Sequence, residues 1–298
     1  YDQGAKLFWL DVAEPEYSVY DFRNYRYQLG SVQEVGNIYP KYYLKAFYDG
    51  MTAEGDTMPI SLIRSAWAGS AKYGALVWSG DIVSTFECFR RQVQAGLNMA
   101  IAGIPWWTTD IGGFHGARTD DPDFHRLYIR WFEYGCFCPV MRLHGNRNPQ
   151  EGYGAEQIGS GSDNEIWSFG DKAYEISKKY IFLRERLRDY IRTQMKKAHE
   201  DGTPMMRPVF YDFPTDQESW NVEDAYLFGP DLYVAPVMED HVTEREVYLP
   251  DGTAWFNAWT GEKYEGGQNV TVAAPMDIIP VFVREGADTE HLLNIFSE

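Results

Sequence analysis

The sequence is short of positive charge. It sets 27 Lys and Arg against 44 Asp and Glu, a formal net charge of −17 over 298 residues. Nucleic-acid binding uses Lys/Arg surfaces to meet phosphates, so this balance excludes nucleic acid as the expected partner, and it argues equally against an anionic membrane. Long apolar runs are also missing, and none approaches the roughly 20 residues of a membrane helix. Cysteine is scarce: Cys88, Cys136 and Cys138 give no disulfide framework, and Cys136-Phe137-Cys138 lacks the paired spacing of a zinc site. Buried free thiols are the simpler reading. The 6 His are scattered without a His-Glu-x-x-His spacing, so neither a metal nor a cofactor is expected. The chain starts at Tyr1, without an initiator Met, a few residues ahead of a core-like strand. That reads as an interior start, so the lack of a signal segment leaves the compartment open, with the cytoplasm as the default expectation.

Aromatic residues are plentiful. They make up 16% of the chain, with 10 Trp and 21 Tyr, within a hydrophobic content of 44%. Most of them must fill a large core, but the surplus suits a protein that stacks flat, neutral faces such as sugar rings.

Acids recur beside those aromatics. Phe8-Trp9-Leu10-Asp11-Val12-Ala13-Glu14-Pro15 and Trp78-Ser79-Gly80-Asp81 each end an apolar, strand-like run with a carboxylate in an aromatic setting. Ile104-Pro105-Trp106-Trp107-Thr108-Thr109-Asp110-Ile111-Gly112-Gly113-Phe114 repeats the pattern. Any one such acid reads as a cap or an ion-pair partner. Three in similar settings point to chemistry, because two carboxylates sharing a cleft are what glycoside cleavage uses. The run Gly159-Ser160-Gly161-Ser162-Asp163 lacks the Lys and following helix of a phosphate loop and reads as a plain loop.

The chain alternates strand and helix through most of its length. Strands are expected at 7–10, 59–63, 73–78, 100–107 and 204–210. Helices are expected from Pro40 to a stop at Gly50, from a capping box Ser84-Thr85-Phe86-Glu87, from Phe124 to Tyr134, and from about Asp171 to Ala198. After Glu239 the pattern changes to short strands split by glycine turns, with no helices. Every notable acid or Arg sits at a strand's C-terminal end, the layout of a (β/α)8 barrel. Five barrel strands are visible where closure takes eight. The expected fold is therefore α/β: the C-terminal part of a TIM barrel over residues 1–239, its first three strands absent, then a small antiparallel β-sandwich over 240–298.

The ordered strings resemble glycoside hydrolase family 31, retaining α-glycosidases, along nearly the whole chain. They are Trp9-Leu10-Asp11 with Glu14-Pro15, Arg64-Ser65-Ala66-Trp67-Ala68-Gly69, Trp78-Ser79-Gly80-Asp81, Asp110-Ile111-Gly112-Gly113-Phe114, Arg142-Leu143-His144-Gly145, Pro204-Met205-Met206-Arg207-Pro208 and Leu227-Phe228-Gly229-Pro230-Asp231-Leu232. The ending of the first string and the Thr108-Thr109 pair look closest to bacterial α-xylosidase-type members. The resemblance implies that Asp11 is the nucleophile and Asp81 the general acid and base. It implies that Arg64, Asp110 and His144 bind sugar hydroxyls, and that Trp9, Trp78 and Phe114 wall the pocket. On physical grounds, Arg64 would stabilise ionised Asp11 and an aromatic wall including Trp78 would desolvate Asp81. Each assignment has a plainer counterpart: Arg64 as a structural partner of Glu14, His144 as a satisfied loop histidine, Trp106 as packing. The implied partner is an oligosaccharide or small α-glycoside. α-Glucosidase and transglycosylase activities stay open beside α-xylosidase, as does a non-catalytic carbohydrate-binding relative, and self-association into a homo-oligomer is also left open.

Overall fold

The computed structural model of the chain describes residues 1, 3–14, 19–148, 162–286 and 288–297. Pro15 of the first acidic string and Gly159-Ser160-Gly161 of the glycine-rich run lie outside the described residues.

Four short strands, Phe8–Leu10, Ser61–Ile63, Ala75–Trp78 and Trp107–Thr108, pair in chain order as one sheet. All three pairings are parallel, with Phe8 opposite Ser61, Ser61 opposite Ala75 and Val77 opposite Trp107. Leu10, Ile63, Val77 and Trp107 are buried along it. Because the strands are parallel, whatever follows each one emerges at the same end, and this brings Asp11, Arg64, Asp81 and Asp110 to one rim. Residues 140–144 extend that rim: Val140 N–H donates to Trp107 O at 3.2 Å and Ile111 N–H to Arg142 O at 3.3 Å.

Helices cover the sheet between strands. Tyr39–Ala53 connects the first strand to the second, and Phe86–Ile101 the third to the fourth. Phe89, Val93, Leu97 and Ala100 share the buried face of the latter at helical spacing. Helix Pro122–Cys136 starts with Pro in its first turn and the Asp121 side chain accepting from Asp123 N–H at 2.9 Å, as a helix start requires. Its Trp131 stacks on Phe89 at 4.9 Å between ring centroids.

Several expectations are corrected. The strand expected at 204–210 is only Met206–Arg207, and it is not a barrel strand: it pairs antiparallel with Tyr226–Phe228. The antiparallel unit expected after 239 therefore begins at Met206. It holds a six-stranded sheet ordered Lys263–Glu265, Ala254–Asn257, Val281–Arg284, Leu232–Val234, Tyr226–Phe228, Met206–Arg207, and a two-stranded antiparallel sheet of Glu244–Leu249 with Gln268–Ala273. Leu227, Tyr233, Trp255 and Phe282 from the larger sheet meet Val247, Leu249 and Val272 from the two-stranded sheet in a second core, which is the sandwich arrangement anticipated. The tail is not free of helix: Thr289–Ser297 is α-helical and stacks Phe296 on Phe137.

In the barrel part, the apolar run expected as a strand over 100–107 is divided. Helix Phe86–Ile101 uses its first residues and only Trp107–Thr108 is strand. Short apolar runs do not separate the two states by periodicity. The helix cap is Thr85, whose Oγ1 accepts from Cys88 N–H at 3.1 Å, so the expected Ser84–Glu87 capping box does not form. Gly50 does not stop its helix, which runs on to Ala53. The long helix breaks at buried Leu187 into Gly170–Arg186 and Arg188–Asp201.

Candidate active site

Asp11 leaves the first strand with an unusual backbone behind it. Val12 has φ +53°, a left-handed conformation that is costly for a β-branched residue. Its N–H donates to Asp11 Oδ1 at 2.9 Å.

Arg64, leaving the second strand, gathers three carboxylates. Its Nη1 is 3.2 Å from Asp11 Oδ1 and 3.9 Å from Asp81 Oδ2, and its Nε is 2.7 Å from Glu14 Oε1. The guanidinium is nearly buried while all three acids are partly exposed, so one cation offsets the mutual repulsion of a carboxylate cluster facing solvent. Arg64 thus pairs both with Glu14, its expected structural partner, and with Asp11. The two contacts on Nη1 limit the separation of Asp11 Oδ1 and Asp81 Oδ2 to about 7 Å, which admits the roughly 5–5.5 Å of a retaining pair.

Asp81 is 46% exposed at its side chain, so the desolvating wall expected around it is not built by the described residues. Trp78 itself is buried. It packs against Trp9 at 5.9 Å between centroids, with the Arg142 guanidinium 5.5 Å from its ring. The buried acid of the site is Asp110, whose side chain is fully covered and ion-paired with Arg142. Burial pushes its carboxyl up to about 6 against the pull of Arg142. Its Oδ2 has no hydrogen-bond partner among the described residues.

His144 closes the ring of contacts. Phe114 stacks on it at 5.5 Å and Trp9 meets it edge-on at 5.5 Å. Burial, and then Arg142, hold its pKa below the ordinary histidine value, which keeps the imidazole neutral and able both to donate and to accept a hydrogen bond near neutral pH. All eight residues singled out from the sequence, Trp9, Asp11, Arg64, Trp78, Asp81, Asp110, Phe114 and His144, therefore lie in two contact groups at one rim. Trp106, read as packing, is elsewhere. It lines a cavity of about 540 Å³ with Pro59, Ile60 and Ala75, at the other end of the strands.

Sequence reasoning missed what holds this rim in place. Arg142 was visible in the motif with His144, but nothing in spacing revealed its pairing with Asp110. Arg147 gave no signal at all. It is buried and donates to Ile111 O at 3.2 Å, Gly113 O at 2.8 Å, Ser84 Oγ at 3.3 Å and Asn164 Oδ1 at 2.7 Å, joining three loops. Glycine is required beside it: Gly113 has φ +79° and a Cβ there would lie 2.7 Å from Ser84 Cα. No group of three or more His, Cys, Asp or Glu suited to a metal occurs among the described residues.

The sequence profile of the glycosyl hydrolases family 31 TIM-barrel domain matches residues 1–194, and that of the glycosyl hydrolase family 31 C-terminal domain matches 202–287. The chain belongs to glycosyl hydrolase family 31. It is 36% identical over 292 residues to an alpha-xylosidase of Saccharolobus solfataricus, an alignment covering 96% of this chain and 38% of that protein. It is 60% identical over 150 residues to an uncharacterized family 31 glucosidase of Pseudescherichia vulneris, covering 50% of this chain and 28% of that one. Among solved structures, a family 31 alpha-xylosidase from a soil metagenome, complexed with xylose, superposes with a TM-score of 0.92 at 57% identity, covering 98% of this chain and 44% of its own. The chain spans less than half the length of these relatives. The family 31 barrel thus contributes four parallel strands and their rim to this chain, and the family's C-terminal domain follows as the antiparallel unit.

Proposed function

We propose that this chain carries the catalytic residues of a retaining α-xylosidase. Asp11 attacks the anomeric carbon and forms a covalent glycosyl-enzyme. Asp81 protonates the leaving oxygen and then, as carboxylate, takes a proton from the water that releases the sugar. Arg64, Asp110 and His144 hold sugar hydroxyls, and Trp9, Trp78 and Phe114 provide apolar walls. The observation that carries this reading is the placement of Asp11 and Asp81 on one arginine nitrogen at the C-terminal ends of parallel strands. Exposure of both carboxylates leaves room for a sugar and later a water to reach them. The substrate is an oligosaccharide or small glycoside ending in an α-linked xylose, supported by the names of the soil-metagenome solved structure and of the Saccharolobus solfataricus relative.

α-Glucosidase is the second reading. It is favoured by the relative that is 60% identical over half the chain, which is described as a glucosidase. Xylose lacks the hydroxymethyl arm of glucose, so bulk or space at one pocket wall decides between them. Turnover of aryl α-xyloside and aryl α-glucoside by the complete protein tests the assignment, with the anomer of the released sugar followed by NMR. The proposal expects the xyloside to be preferred and the α-anomer to be released first. Preference for the glucoside transfers the assignment to the second reading, and initial release of the β-anomer overturns the mechanism.

A further inference from the structure

Arg142 touches both the buried acid and an aromatic wall of the site. It pairs with Asp110 Oδ1 and lies 5.5 Å from the Trp78 ring. Trp78 in turn meets Trp9, and Trp9 meets His144, two residues along the chain from Arg142 itself. The Arg142 carbonyl accepts from Ile111 N–H at 3.3 Å, which anchors its backbone to the segment just after Asp110. The side chain is therefore held from its backbone end by the loop that carries Asp110, and its guanidinium faces the wall.

We propose that Arg142 is a positioning residue that fixes the orientation of Asp110 and keeps it ionised beneath the cleft, so that its second oxygen is available as an acceptor when sugar binds. This rests on the reading of the rim as a sugar site. A carboxylate taken wholly out of water needs a charged partner to stay ionised. Here Asp110 Oδ2 has no hydrogen-bond partner among the described residues, an unmet acceptor of the kind a ligand group satisfies. The other charged and titratable groups facing this cluster are Arg147, which is committed to Ile111 O, Gly113 O, Ser84 Oγ and Asn164 Oδ1, and Asp81 and His144. Asp81 opposes ionisation of Asp110 and Arg147 favours it less than Arg142 does; His144 shares with Asp110 the influence of Arg142, Arg147 and Asp81. Arg142 is thus the main counter-charge.

The test uses the complete protein and D-xylose, with affinity measured by calorimetry across the acid and neutral pH range. In the unaltered protein, affinity falls as pH drops through the titration of Asp110. Arg142→Met moves that fall up by one pH unit or more and raises KM for an aryl α-xyloside more than it lowers kcat. Arg142→Lys restores most of the original pH curve, because the charge is kept. In an Asp110→Asn background the fall is absent, and adding Arg142→Met changes the pH curve no further. This neutral pair also serves if Arg142→Met alone does not fold. An Arg142→Met curve that coincides with the unaltered protein overturns the proposal, as does a pH shift from Arg142→Met that persists in the Asp110→Asn background. Failure of the unaltered protein to bind xylose or glucose at any pH instead overturns the reading of the site, and this inference with it.

Discussion

Val12 donates its backbone N–H to Asp11 Oδ1 at 2.9 Å from a left-handed conformation with φ +53°. The bond orients the carboxylate proposed as nucleophile, and the backbone that makes it is strained by roughly 1–2 kcal/mol for a residue with a Cβ. Val12→Gly removes the strain and adds freedom to the unfolded chain, two effects of similar size and opposite sign. The expected outcome is a melting temperature within a few degrees of the original and kcat/KM lowered several-fold, read by thermal melts and steady-state kinetics on the complete protein. A large loss of stability contradicts the account of strain.

The two acids separate by leaving group. With Asp81→Ala, substrates with poor leaving groups are expected to lose far more rate than activated aryl glycosides, which depart without protonation. Azide partly rescues this variant by attacking the glycosyl-enzyme without a general base. Asp11→Ala is nearly inactive on both substrate types, since no covalent intermediate forms. Equal losses for Asp81→Ala on both substrates, without an azide response, place the proton donor elsewhere.

Much of this rim was legible because parallel strands deliver their C-terminal residues to one end, so acids after apolar runs in the sequence become neighbours in space. Asp11, Arg64, Asp81 and Asp110 followed that rule. Arg207 seemed to follow it and does not: its Nε is 2.6 Å from Asp212 Oδ2 five residues away, and its strand belongs to the antiparallel sheet. A local ion pair and a rim arginine look alike in sequence. Arg147 was illegible for a different reason, since three of its four partners, Ile111 O, Gly113 O and Ser84 Oγ, lie 34 to 63 residues away, and two of them are carbonyls, which carry no residue-specific signal. The exposure of Asp81 was also missed, because a tryptophan near an acid in sequence need not cover it.

Gly113→Ala tests whether the loop between Asp110 and Phe114 depends on close backbone approach. The new methyl group would meet Ser84 backbone atoms at 2.7–2.8 Å and the residue would keep φ +79°. Stability is expected to fall by about 2 kcal/mol or more in denaturant titrations, with loss of activity because Phe114 moves away from His144. A variant of normal stability contradicts the close contact.

A pH effect on stability follows from Glu133. It is fully buried beside Arg130, and burial pushes its carboxyl from 4.5 up to about 8 despite that arginine. The folded protein then holds a proton that the unfolded chain releases, so stability falls as pH rises through this window and levels off above it. Arg130 also donates to the carbonyls of Val242, Ala274, Pro275 and Ile278, so it stays bonded when Glu133 is changed. Glu133→Gln is expected to match the original protein near pH 5 and to gain stability relative to it toward pH 9, read as melting temperature against pH. A constant difference across that range rules out a buried, protonated Glu133.

The most direct test of the central claim is to trap the covalent intermediate. The complete protein is incubated with a 5-fluoro xylosyl fluoride, whose good leaving group lets the sugar attach while the ring fluorine slows its release, and the digested protein is read by mass spectrometry. One fluoroxylosyl group on the peptide containing Asp11, absent after Asp11→Asn, is the expected result. A label on any other carboxylate, or none while the enzyme turns over with inversion of the anomeric centre, contradicts the account.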